Sequence, residues 1–274
     1  MRRLLSWTTT LLFLPAFGLT LLVFDIAGRL VRPVSLRAFE VVMGALQRTL
    51  TSLFSICGTR IEMEKHADIE SNRGYVIISN HQSLFDITMI GGFLFTNYPK
   101  YVAKTELGRW IPSVSLNLRR GGNALIDRKD RDQAVEAITE MARIAQDRNV
   151  SVVIFPEGTR SPDGTLKRFR RAGTVALLEA ADRLPVIPTA IDGSWRLNSM
   201  TPVPFGTRVR IRFGQPIARR PDDAGDVLAA ARRQIADTMD RWKVDRPSSG
   251  RSDQLEDEPV SGVGVDWVEN EGAD

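Results

Sequence analysis

Histidine is scarce in this chain, with two among 274 residues. One of them, His81, is followed five positions later by an acid in Asn80-His81-Gln82-Ser83-Leu84-Phe85-Asp86. An imidazole takes up a proton near neutrality if its other ring nitrogen stays protonated, and a neighbouring carboxylate both holds that tautomer and stabilises the imidazolium that forms. A helix starting just after His81 would carry Asp86 back beside the ring within a turn and a half. The pair therefore predicts a general base with its orienting acid, against the alternative of an ordinary first-turn acid next to a loop histidine. A second block, Phe155-Pro156-Glu157-Gly158-Thr159-Arg160, brings a carboxylate, a glycine and a guanidinium together. Both blocks follow apolar runs, Tyr75-Val76-Ile77-Ile78 and Val150-Ser151-Val152-Val153-Ile154, so both fall where a buried strand ends and a loop begins.

In this order and at this separation, the two blocks resemble those of the glycerolipid acyltransferases, specifically the 1-acylglycerol-3-phosphate acyltransferases. The resemblance covers roughly residues 58–240. It implies an α/β fold with a mixed sheet flanked by helices, preceded by a membrane-associated helical element. It also implies transfer of a fatty acyl group from acyl-CoA or acyl carrier protein to the sn-2 hydroxyl of lysophosphatidate, making phosphatidate for phospholipid biosynthesis.

On that resemblance His81 and Asp86 are the catalytic pair, acting without an acyl-enzyme. Arg128, in Gly121-Gly122-Asn123-Ala124-Leu125-Ile126-Asp127-Arg128, and Arg160 are the phosphate clamp. Asn123-Ala124 stands where the family more often has a bulkier apolar pair, which changes local packing and leaves the arginine in place. Glu157 would orient an arginine or bond a glycerol hydroxyl, with Gly158 and Thr159 beside it in the acceptor site. Lys104, in Lys104-Thr105-Glu106-Leu107, matches a segment along the family's substrate channel, where it would meet the anionic headgroup or polarise the thioester carbonyl. The Gly158 amide is the other candidate for that polarising role. Lys167, Arg168, Arg170 and Arg171 around Phe169, ahead of Gly173, resemble the basic segment that follows this block in the family.

Other readings are an acyltransferase acting on a different lysolipid or on glycerol 3-phosphate, a membrane esterase using Ser83, and a non-catalytic lipid-binding protein. The esterase lacks glycine-x-serine-x-glycine around its nucleophile.

Composition narrows the class. Two histidines and one cysteine, Cys57, make a poor zinc set and exclude an internal disulfide, so no metal is expected; the resemblance implies no cofactor, with acyl-CoA or acyl carrier protein as co-substrate. The net charge of +4 conceals an asymmetry: residues 251–274 hold eight acids against Arg251, net −7, leaving +11 for the rest. A basic body suits an anionic membrane surface or phosphate-bearing substrates. Without a nucleic-acid motif or aromatic residues interleaved with the basic ones, no nucleic-acid partner is expected.

The elements that must position these residues divide the chain into three: membrane-associated helices over 1–57, the catalytic domain over 58–243 and an acidic disordered tail over 244–274. Residues 4–24 contain no charge and are long enough to cross a bilayer or lie in it, with Arg2 and Arg3 favouring a cytoplasmic start, Pro15 allowing a kink and Asp25 closing the segment. Apolar residues recur at helical spacing over 29–55, predicting an amphipathic pair on the membrane surface. The catalytic domain would then lie at the cytoplasmic face. Strands are expected over 60–64, 75–79, 100–103, 150–154 and 209–213, and helices over 83–93, 130–147, 172–183 and 223–242; residues 184–190 resemble a further block of the family and read as core packing. Strand order is not legible from the pattern.

Overall fold

A computed structural model describes residues 1–127 and 129–244. Arg128 and the acidic stretch expected beyond Val244 therefore lie outside the described residues. Met1–Met239 form one compact unit, and the described part of the second, Asp240–Asp274, is a helix end.

Seven strands form one mixed sheet: β1 (Arg60–Lys65), β2 (Val76–Ser79), β3 (Lys100–Lys104), β4 (Ala124–Ile126), β5 (Val152–Ile154), β6 (Val186–Asp192) and β7 (Arg208–Phe213), in the order β1-β7-β6-β2-β5-β3-β4. The stretch β6-β2-β5-β3-β4 is parallel, β7 runs antiparallel to β6, and β1 is parallel to β7. Every residue of β2, β5 and β6 is buried, which is why they read as continuous apolar runs: helices cover both faces of a parallel sheet.

The helices are α1 (Arg2–Val31), α2 (Leu36–Leu53), α3 (Asp86–Phe93), α4 (Val114–Arg120), α5 (Arg131–Asp147), α6 (Arg171–Ala180) and α7 (Ala224–Val244). The chain leaves β2 towards β3 on one side and β5 towards β6 on the other. Right-handed crossovers then put α3 and α4 on one face and α5 and α6 on the opposite one, matching the packing of α2 on α3 and of α5 on α6. Adjacent parallel strands whose connections diverge open a crevice at their C-terminal ends. The loops after β2 and β5 flank that crevice, and they are the two blocks carrying His81 and Glu157.

The N-terminal region departs from expectation. Asp25 does not close the first helix, since α1 continues to Val31 and Asp25 is buried, bonding Arg29 and the Ser113 amide. The buried positions of α1, Ser6, Thr10, Phe13, Leu21, Asp25 and Gly28, form a stripe that is mostly small or polar. Ser6 Oγ accepts the Phe205 amide at 3.0 Å, Thr10 Oγ1 accepts the Val203 amide at 2.9 Å, and Ser113 Oγ donates to the Leu21 carbonyl. The helix is thus attached to the domain near both ends, while Leu4, Leu11, Leu12, Leu19, Leu22, Val23 and Leu30 face outward. Phe13 and Phe17 join Phe54 and Phe85 in one aromatic cluster, with Phe54 and Phe85 4.6 Å apart edge to face.

Ser35 caps α2 by accepting the Ala38 amide. Glu40 of α2 is buried and reaches Lys100 of β3, Arg148 after α5 and, at 3.4 Å, Arg37. On α5 the buried residues are Ile138, Met141, Ala142 and Ala145, while Ile144 is exposed.

Candidate active site

The block after β2 is built by hydrogen bonds that its own sequence supplies. No helix starts just after His81. Residues 80–85 curl instead, and Asp86, the first residue of α3, turns its carboxylate back onto them. Asp86 Oδ2 accepts the amides of Gln82 at 2.7 Å and Ser83 at 2.9 Å, together with His81 Nδ1 at 2.9 Å. An ionised carboxylate only accepts, so Nδ1 carries the proton and Nε2 is left with its lone pair. Nε2 has no hydrogen-bond partner among the described residues. The Phe155 ring stacks on the imidazole, 4.0 Å between centroids, fixing its plane.

Asn80 anchors the loop. Its carboxamide both accepts from the Ile191 amide and donates to the Ile191 carbonyl, each at 2.8 Å, as a strand neighbour would. This is possible because β6 runs three residues past the end of β2, whose Ser79 pairs with Thr189.

The block after β5 interlocks with it. Glu157 Oε1 accepts the His81 amide at 3.0 Å, Oε2 accepts the Lys167 amide at 3.3 Å, and the His81 carbonyl accepts the Ser161 amide at 2.8 Å. Both oxygens of Glu157 are thus engaged by backbone. The carboxylate orients the main chain at His81, and no arginine side chain among the described residues is bonded to it.

The Gly158 amide donates to the Phe155 carbonyl, so it is not free to polarise a substrate carbonyl. Gly158 is needed here for its left-handed φ of 72° and because a Cβ would sit 3.1 Å from Arg170 Nε. Arg170 thereby lies against the Glu157 block, one of the basic residues of the segment before Gly173. Thr159 Oγ1 and the Arg160 carbonyl both accept from Lys167 Nζ. The Arg160 side chain is exposed and unpaired among the described residues, as is that of Lys104. Lys104 ends β3, on the same edge of the sheet as His81 but two strand spacings away, roughly 10 Å. Ser83, the nucleophile an esterase would need, is buried with its hydroxyl accepting from the Phe85 amide, and nothing pairs it with His81.

Burial pushes the Glu157 carboxyl up to about 7, a rise that the amides of His81 and Lys167 oppose and the nearby Asp86 charge assists. A carboxyl raised on folding binds its proton in the native state over a range where the unfolded chain has released it. The stability this contributes is complete below about 4.5 and is lost as pH rises to about 7. Denaturation midpoints are therefore expected to fall from pH 5 to pH 8, by up to about 3 kcal/mol at 1.36 kcal/mol per unit. Glu157→Gln should flatten that slope; equal slopes in the two proteins would show that Glu157 does not titrate there.

Sequence reasoning misses one group in contact with the pair: Ser194, whose hydroxyl reaches Asp86 Oδ1 from the turn after β6. The available signal is its place, since that turn, like the blocks at His81 and Glu157, follows a buried strand at the same edge.

Residues 60–192 match the family model described as Acyltransferase. A 1-acyl-sn-glycerol-3-phosphate acyltransferase of Cocos nucifera is 34% identical over 150 residues, covering 54% of this chain and 47% of the relative. That of Escherichia coli K12 is 31% identical over 139 residues, covering 51% and 55%. The chain spans about half the length of the curated relatives it matches. The crystal structure of the 1-acyl-sn-glycerophosphate acyltransferase of Thermotoga maritima superposes with a TM-score of 0.67 at 23% identity, over 87% of this chain and 98% of that one, and shares the fold.

Proposed function

We propose, from the match of residues 60–192 to the acyltransferase family model, that the protein belongs to that family and transfers a fatty acyl group from an acyl thioester to the sn-2 hydroxyl of 1-acylglycerol 3-phosphate. The observation that carries the reading is the His81–Asp86 pair, with Nδ1 bound to the carboxylate at 2.9 Å and Nε2 free in the crevice between β2 and β5. Nε2 takes the proton of the acceptor hydroxyl as that oxygen bonds to the thioester carbonyl carbon. The tetrahedral intermediate collapses with cleavage of the carbon–sulfur bond, and the imidazolium returns its proton to the leaving thiolate. Nothing is left on the enzyme, consistent with the buried, otherwise engaged hydroxyl of Ser83.

Arg160 is the phosphate ligand on this reading: it precedes Ser161, whose amide bonds the His81 carbonyl, and its side chain is exposed with no acid paired to it among the described residues. Lys104 would approach the same anion from the end of β3, and Arg128, outside the described residues, is a further phosphate ligand on the family resemblance.

The outward apolar face of α1 requires an apolar medium, so the unit lies on a bilayer with α1 along the surface. Arg32, whose Nε donates to the Arg120 carbonyl at 3.0 Å, places basic residues of α1 and α4 together at one end of that face. Such residues suit the anionic cytoplasmic leaflet.

The test uses protein recovered by flotation with anionic vesicles, measuring free thiol released from long-chain acyl-CoA or acyl carrier protein with and without lysophosphatidate. Release that depends on lysophosphatidate is expected. Release without acceptor would mean thioester hydrolysis, and protein that does not float would refute the membrane placement. Arg160→Ala should raise the apparent KM for lysophosphatidate roughly 10- to 100-fold, the equivalent of losing one charge-assisted hydrogen bond, and leave the donor's KM within twofold. Equal effects on both would argue against a phosphate contact.

A further inference from the structure

We propose that Ser194 is a positioning residue of the catalytic apparatus, fixing the Asp86 carboxylate from the side opposite His81. This rests on the reading of His81 as the base.

Of the four hydrogen bonds that Asp86 accepts, three fall on Oδ2 and come from within its own block. Those three bonds hold one oxygen, and a donor on Oδ1 holds the other, fixing the plane of the carboxylate against the imidazole. The Ser194 hydroxyl supplies that donor at 2.6 Å. Both residues are fully buried, so no water competes for the bond. The hydroxyl also lies 3.5 Å from Gln82 Oε1, but the shorter contact to an ionised acceptor takes its proton.

The placement of Ser194 is built into the backbone. Gly193 has φ 88°, and a Cβ there would meet the Arg208 carbonyl oxygen at 2.2 Å, so only glycine permits the turn that aims Ser194 inward. The segment also holds the His81 block at Ile191 through Asn80, and Asn198 Nδ2 donates to the Gln82 carbonyl at 3.1 Å. Residues 191–198 thus touch the block at three points, and the contact at Ser194 is the one that meets the catalytic acid.

A hydroxyl that merely satisfies a buried neighbour would affect stability alone. A hydroxyl that orients Asp86 would also affect the hydrogen on His81 Nδ1. Ser194→Ala is expected to lower kcat about tenfold, the low end for losing a partner that orients a functional group, with both KM values within twofold. In proton spectra of detergent-solubilised protein, the downfield Nδ1–H resonance of His81 should broaden or disappear in Ser194→Ala and persist in Ser194→Thr, which keeps the hydroxyl. His66, the other histidine, is removed by His66→Gln to make the assignment unambiguous. If kcat and the resonance both match wild type, or if Ser194→Ala lowers only the melting temperature, Ser194 does not position Asp86. The resonance is measurable without substrate, so a failure of the acyl-transfer reading would show separately, as wild-type protein that keeps the resonance and releases no thiol.

Discussion

His81→Ala is expected to lower acceptor-dependent thiol release by 10²- to 10⁴-fold, the range for loss of a positioned general base, with the apparent KM for lysophosphatidate changing little. The reason lies in where the ring is held. Its main chain is fixed on both sides by the Glu157 block, its plane by Phe155 and its tautomer by Asp86. Removing the side chain leaves all of that scaffold standing, so the loss should appear in kcat with the fold intact by circular dichroism. Asp86→Asn probes the same step differently. An asparagine whose carbonyl oxygen takes the place of Oδ2 keeps the two loop amides and Nδ1, but it turns an NH2 group towards the Ser194 hydroxyl and supplies no charge to stabilise the imidazolium, so turnover should fall with the loop still in place. A His81→Ala protein that retains more than a tenth of wild-type turnover would eliminate this residue as the base.

Glu40→Ala is expected to destabilise the protein by about 3–5 kcal/mol, because it leaves buried cations without their anion. Glu40 and Lys100 are both 5% exposed, and Arg148 and Arg37 share the same carboxylate. Burial lowers the Lys100 ammonium to about 8 even with Glu40 beside it, so removing Glu40 favours a neutral lysine in a site with no acceptor for it. For a unit of this size that loss corresponds to roughly 10 °C in melting temperature. The double variant Glu40→Met with Lys100→Met should recover most of the loss, since an apolar pair of similar volume avoids the desolvation that the ion pair must offset. A Glu40→Ala protein melting within 2 °C of wild type, about 1 kcal/mol or less, would show that the cluster does not secure α2 to the sheet.

The contrast between His81–Asp86 and Glu40–Lys100 shows what the sequence makes legible. His81 and Asp86 lie five residues apart, so a single turn of chain brings them together and the residue types suggest why. Their route to one another is not legible. The expected helix is present but starts at Asp86 and not just after His81, because an acid at position 86 that collects the amides of Gln82 and Ser83 competes with helical pairing before it. Ser194 lies 108 residues beyond Asp86, and Lys100 lies 60 beyond Glu40; no local spacing encodes either meeting, which depends on strand order. Helical periodicity makes Glu40 look like part of a wet face, and only the placement of α2 over β3 and the end of α5 reverses that. β2 and β5 are legible as apolar runs because a parallel sheet buries both faces, and β7 by its alternation, whereas the three-residue β4 is too short to give a pattern. The first helix misleads in the opposite direction: its docking stripe is made of Ser6, Thr10, Asp25 and Gly28, so a hydropathy pattern cannot separate the side that meets protein from the side that meets lipid.

The attachment of α1 also has a consequence for where the product goes. A helix bonded to the domain through Ser6 and Thr10 near one end and Leu21 and Asp25 near the other keeps one pose against the catalytic domain, since leaving it would uncover Phe54 and Phe85 and give up buried amide partners. On the function proposed above, acceptor and product therefore enter and leave by a single leaflet. New two-chain lipid accumulates on that side alone, expanding it against its neighbour. Balanced growth of such a membrane then requires a separate activity that moves lipid across, and curvature stress would arise first wherever that activity lags behind synthesis.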